Sequence, residues 1–282
     1  MGTTGQQVHV YNNKIIIHLF SSYIMKGKIL LTAFLAGGFT IANAQEQKAK
    51  PEDTEVYSPV PPEVKPGKKC GEAPSDAIIL FDGTNLDQWV MADDRNAPAQ
   101  WIVEKGVLTV NKKVGNIETK KTFNNYQLHI EWRVPANITG TGQGRGNSGV
   151  FLASIGKGDA GYELQVLDSY NNKTYTNGMA ASIYKQYVPL ANPTNKPGEW
   201  QTYDVIWTAP VFGSDGALVS PARVTVLFNG VLVQNNVELK GPTQYIGAPA
   251  YRQAHGPSPI KLQAHGDKSE PLSFRNIWIR EL

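Results

Sequence analysis

Apolar and polar side chains alternate strictly along residues 126–134, where every second position is apolar and the others are polar or charged. Within residues 162–168, alternation places Glu163 and Gln165 opposite Leu164 and Val166. A period of two is typical of a β-strand that buries one face and turns the other towards water or a ligand. Both segments are therefore predicted to be strands.

The same alternation predicts further strands over residues 200–207 and 272–280. Residues 223–234 contain two such segments joined by Asn229-Gly230, the dipeptide preferred in two-residue hairpin turns. Helical periodicity is nearly absent, and 27 glycines and 18 prolines interrupt the apolar segments. No repeat of 20–50 residues is found, which argues against a propeller or a solenoid.

Many antiparallel strands without helices form either a sandwich or a barrel. We predict an all-β fold for residues 75–282, a single jelly-roll β-sandwich of two antiparallel sheets. Residues 45–74 are polar and contain six prolines, which predicts an extended N-terminal arm or linker. The one cysteine, Cys70, lies in this arm and is interpreted as incidental and not as a lipid anchor.

Residues 1–44 are interpreted as an upstream extension followed by a secretory signal that starts at Met25. Its positive start is followed by the apolar run 29–41, and a small-residue pattern of the kind that signal peptidase accepts ends at Ala44. The run is too short to span a bilayer stably. We therefore expect an exported protein with no transmembrane segment in the mature chain; a buried N-terminal helix is the alternative.

The charge balance argues against nucleic acid and anionic lipid as partners. The chain carries 27 Lys and Arg against 24 Asp and Glu. Three of the basic residues, Lys14, Lys26 and Lys28, lie in residues 1–44, which contain no acidic residue, so the remainder holds 24 of each sign. A neutral surface has no electrostatic reason to hold nucleic acid or anionic lipid. One cysteine also excludes a cysteine-rich zinc site.

Several titratable residues are candidates for chemistry. Glu163 and Asp168 are five positions apart and point to opposite faces of a regular strand, so Glu131 on a neighbouring strand is an alternative carboxylate partner. His265, in the loop before the last strand, is a candidate general base or metal ligand. Lys185 is a candidate cation for polarising a carbonyl group. Solvated surface groups are the alternative interpretation of all five.

Planar polar groups and aromatic rings suit a sugar, because the former bond hydroxyl groups and the latter cover the apolar C–H face. Aromatic residues of a sandwich are alternatively core residues. The residues predicted to bind substrate are Glu131, Arg133, Arg145, Asn147, Gln165, Tyr184, Gln263 and Trp89.

Seven segments, in order along the chain, resemble the signatures of the 3-keto-disaccharide hydrolase family and together span about residues 78–282. The first, residues 79–89, reads Ile-Leu-Phe-Asp-Gly-Thr-Asn-Leu-Asp-Gln-Trp. The other six are residues 146–152, 162–168, 198–204, 229–231, 262–266 and 274–280.

This resemblance implies a concanavalin-like jelly roll, related in shape to lectins and glucanases. It also implies substrates whose glucose ring is oxidised at C3, and a place in the periplasm or cell envelope of a Gram-negative bacterium. No redox cofactor is expected. A divalent cation is an open alternative, with Glu131 and Asp168 as its candidate ligands.

A ketone at C3 acidifies the proton on C2, because the resulting anion delocalises onto oxygen as an enolate. Loss of that proton lets the C1 substituent leave by elimination, and water can then add. We expect His265 or Glu163 to be the base, and Lys185, Arg145 or a divalent cation to stabilise the enolate. The alternatives to this enzyme are a non-catalytic carbohydrate-binding module and a conventional glycoside hydrolase of unoxidised glycan.

Overall fold

The computed structural model describes residues 49–282. The predicted upstream extension and secretory signal therefore lie outside the described residues. The chain divides into two compact units at residue 60, and in the described part of the first unit Pro51–Thr54 forms a short 3-10 turn. No helix among residues 49–282 has the length and apolar character needed to cross a membrane.

The second unit, Pro61–Leu282, contains two stacked antiparallel sheets whose strands we number in chain order. The larger sheet consists of β1 (Ile78–Phe81), β3 (Ile102–Glu104), β4 (Val107–Thr109), β6 (Tyr126–Arg133), β9 (Gln201–Thr208), β12 (Arg223–Phe228), β13 (Val231–Glu238) and β15 (Ser273–Glu281). The smaller sheet consists of β2 (Trp89–Met91), β5 (Ile117–Thr119), β7 (Ser148–Ser154), β8 (Gly161–Val166) and β14 (Lys261–Leu262). A separate hairpin joins β10 (Val211–Phe212) to β11 (Leu218–Ser220).

Strand order shows how distant parts of the chain meet. The larger sheet has the order β13-β12-β9-β6-β15-β4-β3, and β1 pairs with β15 beside β4. The smaller sheet has the order β2-β5-β14-β7-β8. Because β14 lies between β5 and β7, the segment after it is placed beside the start of β7, although more than 100 residues separate them in sequence.

The core lies between the two sheets. Residues Leu128, Ile130 and Trp132 of β6 point inward and share one apolar cluster with Leu164 and Val150 of the smaller sheet. Burying each such side chain contributes about 1.5–3 kcal/mol to folding, which is why alternate positions of these strands are apolar. The rings of Trp132, Tyr203 and Phe228 are packed against one another, at centroid distances of 4.9 to 5.9 Å.

The all-β sandwich is confirmed. Strands β6, β8, β9 and β15 begin and end within two residues of the predicted segments. The hairpin of β12 and β13 is confirmed as well, since Asn229 and Gly230 have the positive φ values, 50° and 78°, that a type I′ turn requires. Strand β13 continues four residues beyond its predicted end, to Glu238.

The part of the predicted arm that follows residue 60 packs on the domain. The carbonyl oxygen of Gly71 accepts hydrogen bonds from Nδ2 of Asn276 (2.8 Å) and Nε1 of Trp278 (2.9 Å), both on β15. A Cβ at Gly71 would lie 3.0 Å from the ring of His129, and φ there is 79°, so this close approach favours glycine. Cys70 is exposed.

Candidate active site

The smaller sheet has one apolar face and one polar face. Leu164, Val150 and Leu262 are paired across β8, β7 and β14 and point into the core. Since alternate residues point to opposite faces, the neighbours of these three residues all point away from the core. Two rows of side chains result, Glu163, Phe151, Lys261 and Glu118 in one, and Gln165, Gly149 and Gln263 in the other.

A hollow of about 330 Å³ opens on this polar face. It contains six of the twelve residues that the sequence predicts for the site, together with three others. Its lining consists of Asn147, Asp159, Glu163, Gln165, Tyr184, Thr243, Tyr245, Gln263 and His265. The volume is within the range of small-molecule sites, so the sheet brings carboxyl, amide and imidazole groups together around one ligand-sized space.

Glu163 lies at the floor of the hollow and is 5 % exposed. Its carboxyl group covers the backbone of Gly149 on β7, where a Cβ would lie only 2.7 Å from Oε1. Burial, with a smaller contribution from the negative charge of Asp159, raises the pKa of Glu163 to about 8. At neutral pH the group is therefore a neutral carboxylic acid that can donate a proton or a hydrogen bond.

His265 is held by an acidic residue two positions further along the chain. Nδ1 of His265 lies 3.0 Å from Oδ2 of Asp267. Asp267 also accepts from Lys112 Nζ (3.0 Å) and from the backbone N–H of Ser269 (2.9 Å). Hydrogen bonds from the side chains of His265, Ser269 and Lys112 hold the pKa of Asp267 well below its usual range, although burial opposes them.

The Asp267 carboxylate determines which nitrogen of His265 carries the proton. Two groups compete for Nδ1 of His265: the ionised Asp267 oxygen, which can only accept, at 3.0 Å, and the backbone N–H of Asp267, which can only donate, at 3.2 Å. The shorter, charge-assisted bond to Asp267 favours the tautomer in which Nδ1 carries the proton and donates. Nε2 then carries the lone pair, and it lies 3.5 Å from Nδ2 of Asn147 on the lining of the hollow. The imidazole is thus oriented as a base that faces the hollow.

Three amide side chains complete the floor. Gln165 Nε2 donates to Asn147 Oδ1 (3.0 Å), and Asn147 Nδ2 donates to the carbonyl oxygen of Gln143 (2.9 Å). Within residues 49–282, Oε1 of Gln165 and Oε1 of Gln263 are buried and have no hydrogen-bond partner. An unpaired buried acceptor costs about 1–3 kcal/mol, so both oxygens are suited to accept from ligand hydroxyl groups.

Aromatic residues form one wall and the rim. Tyr184 lines the hollow, and its hydroxyl lies 2.7 Å from that of Tyr175. Lys185 Nζ donates to the backbone carbonyl oxygen of Tyr245 (2.6 Å) and lies 4.2 Å from the centroid of the Tyr245 ring. Lys185 therefore braces the rim from outside and is not part of the lining, contrary to the role predicted for it.

Arg145 and Asp168 form an ion pair, with Nε and Oδ2 2.7 Å apart, and neither lines the hollow. Asp168 is fully buried where β8 has ended. Burial raises the pKa of Asp168, and the backbone N–H of Tyr170 and the charge of Arg145 oppose that shift. The two residues hold together the loops before β7 and after β8, which places them behind the site instead of in it.

Glu131 and Arg133 belong to the larger sheet, outside the hollow. Glu131 Oε2 accepts from Arg275 Nε (2.6 Å), and both arginines lie over the ring of Trp200. The predicted cation ligands are thus apart: Glu131 is on the larger sheet, Asp168 lies in the loop after β8 of the smaller sheet, and each is paired with its own arginine. Among residues 49–282 no three His, Cys, Asp or Glu side chains form a group suited to a metal ion.

Trp89 is a core residue and does not belong to the site. It is 1 % exposed, and its Nε1 donates to the carbonyl oxygen of Leu80 (2.7 Å). With no ring face free, it cannot stack on a sugar, so this predicted role is corrected.

Sequence reasoning missed four residues. Asp267 follows His265 closely, and an acid two positions from a loop histidine was the available signal. Asp159, Thr243 and Tyr245 reach the hollow from loops that no periodicity describes. Thr243 Oγ1 accepts from the backbone N–H of Glu163 (3.0 Å), which ties its segment to β8.

Comparison with known proteins places this chain in a family of carbohydrate-active enzymes. Residues 76–280 match the sequence profile of the 3-keto-alpha-glucoside-1,2-lyase-like domain. A crystal structure of a "putative glycosyl hydrolase" from Parabacteroides distasonis ATCC 8503, at 2.13 Å resolution, is 54 % identical with a TM-score of 0.76. The alignment covers 83 % of this chain and 97 % of that one. No protein with curated annotation matches.

A second structure with the same printed description and organism, at 1.70 Å resolution, is 22 % identical with a TM-score of 0.51. It covers 73 % of this chain and 94 % of its own, and it supports the fold alone. The chain belongs to the 3-keto-alpha-glucoside-1,2-lyase-like domain family. The family resemblance deduced from the seven sequence segments is thereby confirmed.

Proposed function

We propose that this protein cleaves the glycosidic bond of 3-keto-glucosides by removing the proton on C2, with the sugar ring bound in the hollow on the smaller sheet. The observation that carries the proposal is the pairing of an oriented imidazole, His265, with a neutral carboxylic acid, Glu163, in one hollow. The description of the family supports the same substrate class.

His265 is the base in this proposal. Its Nε2 lone pair faces the hollow, and Asp267 stabilises the positive charge that the ring acquires when it takes a proton. Glu163 is the electrophilic partner. Because burial keeps the Glu163 carboxyl protonated at neutral pH, that group can donate while the imidazole accepts.

The reaction then proceeds in balanced steps. His265 takes the proton from C2, and the C2–H electrons form a C2=C3 double bond while negative charge develops on the C3 oxygen. Glu163 donates a hydrogen bond to that oxygen. The negative charge on the C3 oxygen then re-forms the C3=O bond, and the C2=C3 electrons form a C1=C2 bond as the C1–O bond breaks. The leaving oxygen takes the proton from the imidazolium. Addition of water, OH to C1 and H to C2, completes hydrolysis.

The amide groups and the tyrosine hold the ring. The unpaired acceptors of Gln165 and Gln263 receive sugar hydroxyl groups, and Tyr184 supplies an aromatic wall. Enolate stabilisation by Lys185 or Arg145 is not retained, because Lys185 is bonded to Tyr245 and Arg145 to Asp168. No step is assigned to a divalent cation, since the predicted ligands do not converge.

A conventional glycoside hydrolase is the second candidate, because Glu163 and Asp159 place two carboxyl groups in the same hollow. Such enzymes need a proton donor and a nucleophile or base on opposite sides of the bond. Glu118 cannot be the partner: it is three strands away from Glu163 in the same row, about 14 Å at the usual strand spacing, beyond the separation that either mechanism uses.

The test compares a 3-keto-glucoside with its unoxidised parent and measures release of the leaving group. We expect release from the keto sugar alone, and a loss of at least about 100-fold in His265→Ala and Glu163→Ala. His255→Ala is the matched control, because that ring is bonded to the Tyr162 hydroxyl (2.8 Å) and does not line the hollow.

The other outcomes separate the alternatives. Release from the unoxidised parent supports a conventional hydrolase, and binding of either sugar without release supports a carbohydrate-binding module. Full activity in both the His265 and Glu163 variants contradicts the proposed site.

We also propose that the protein is exported to the periplasm or envelope of a Gram-negative bacterium, on the basis of the apolar run 29–41 and the small residues that follow it. Amino-terminal sequencing of the protein recovered from a periplasmic fraction tests this. A mature chain that begins at Gln45 supports it, and a chain that retains residues 25–44 contradicts it.

A further inference from the structure

A second hollow, of about 470 Å³, opens on the polar face of the smaller sheet at its β5 side. The turn that follows β2, the end of β7 and the segment before β14 surround it. Its lining includes Asp93, Arg95, Glu118, Ser154, Lys157 and Pro259. None of these residues has a part in the reaction described above.

A fixed pair of opposite charges forms the floor of the second hollow. Glu118 is 4 % exposed, contacts the Arg95 guanidinium and accepts from Ser154 Oγ (2.6 Å). Arg95 also donates to the carbonyl oxygen of Lys120 (2.9 Å), so its side chain is held on two sides. Carboxylate acceptors and guanidinium donors are thus presented together at fixed positions beside an open space.

The two hollows lie on one row of the sheet. Glu118, Lys261, Phe151 and Glu163 are consecutive cross-strand neighbours, so Glu118 and Glu163 are three strand spacings apart, about 14 Å. The two middle side chains are fully buried, and residues 156–160 cover that of Lys261.

The segment that divides the hollows is anchored from below. Lys261 Nζ donates to the carbonyl oxygens of Gly156 (2.7 Å), Gly158 (2.8 Å) and Ala160 (3.2 Å). Asp159 lines the first hollow, whereas Lys157 lines the second. A ligand that fills both would therefore cross one rigid ridge.

The charges around the second hollow favour an uncharged ligand. Asp93, Asp94 and Glu118 are opposed by Arg95 and Lys157, and one acid is already paired. A surface with both signs attracts neither anions nor cations strongly, but it offers donors and acceptors to hydroxyl groups.

We propose that the second hollow is a subsite for an uncharged stretch of glycan, so that the protein binds a short oligosaccharide along the polar face of the smaller sheet while the reacting ring occupies the first hollow. The assignment of the reacting ring rests on the proposed function. Binding in the second hollow does not, because it needs neither the ketone nor His265.

The experiment titrates the purified full chain with unoxidised D-glucose, maltotriose and cellotriose by calorimetry. At least one trisaccharide should bind at least about tenfold more tightly than glucose. Arg95→Ala should reduce this gain in affinity, from glucose to the trisaccharide, to less than about twofold. Because this change leaves Glu118 buried and unpaired, Thr122→Trp is the second variant; it fills the hollow from an exposed position and keeps the ion pair.

Arg275→Ala is the matched control, since Arg275 forms a similarly half-exposed pair with Glu131 on the other sheet. It should keep the trisaccharide gain, as should the Glu163→Gln variant. The proposal is overturned if neither trisaccharide binds more tightly than glucose, or if Thr122→Trp leaves the gain intact. If the protein binds the trisaccharide more tightly than glucose but does not cleave 3-keto-glucosides, the proposed reaction is contradicted and the subsite is not.

Discussion

The carboxyl group of Glu163 lies over the backbone of Gly149, so that a methyl group added to Gly149 would fall 2.7 Å from Oε1 and 3.0 Å from Cγ. We expect Gly149→Ala to displace the carboxyl group and to lower kcat at least about tenfold, with a smaller effect on stability. Gly256→Ala is the control, because a Cβ there meets no atom within 4 Å. Equal kcat values in the two variants would show that the position of Glu163 is not critical.

The protonation of Glu163 should determine the upper limit of the pH profile. Burial raises the pKa of Glu163 to about 8, and the proposed role requires the protonated acid, so kcat/KM should fall as pH rises through about 8. In Glu163→Gln the overall rate should be lower and this fall should disappear. An unchanged alkaline limit in that variant would assign the titration to another group.

The same shift should appear in stability. Below about pH 4.5 both folded and unfolded chains hold the proton; between 4.5 and 8 only the folded chain does, so rising pH favours unfolding. Glu163→Gln removes this penalty. We expect the variant to be more stable than the parent above pH 8, by at least about 1 kcal/mol in the free energy of unfolding. At pH 5 this difference should be smaller. Denaturant unfolding at both pH values measures the difference, and a pH-independent difference would contradict the burial argument.

Asp267 is a positioning residue in this account. Asp267→Asn keeps the shape but no longer requires Nδ1 of His265 to carry the proton, because an amide can donate as well as accept. We expect kcat to fall about tenfold to a hundredfold with little change in KM, and the acidic limit of the pH profile to shift. A purely structural role would lower stability and leave the pH profile of the folded fraction unchanged.

Trp89 should matter for stability and not for binding. Trp89→Phe loses the hydrogen bond to Leu80 and leaves a small cavity, which should cost about 1–3 kcal/mol in the free energy of unfolding. KM should stay within about twofold of the parent, whereas Tyr184→Ala, on the lining of the hollow, should raise it. A raised KM in Trp89→Phe would reinstate Trp89 as a ligand contact.

The long strands were predictable because apolar residues at every second position show which face of a strand packs against the core. The alternation of Leu128, Ile130 and Trp132 therefore located β6 to within one residue. Strands β2, β5 and β14 were not predicted, since two or three residues carry no usable period.

The site was partly predictable for the same reason. Glu163, Gln165 and His265 were identified as polar groups on strand faces and loops, and the sheet brings them together. Local periodicity does not predict which distant strands pair with one another. The sequence therefore did not show that Glu131 belongs to the other sheet, or that Asp168 is paired with Arg145.

The fate of the hydrogen on C2 distinguishes proton removal at that carbon from any route that leaves the C2–H bond intact. A 3-keto-glucoside carrying deuterium at C2 would be incubated with the protein in ordinary water, and the sugar product analysed by mass spectrometry at early times, with spontaneous exchange measured in a protein-free sample. Proton removal by His265 predicts that the released sugar has lost the deuterium at a rate matching bond cleavage. Product that retains the deuterium would contradict it.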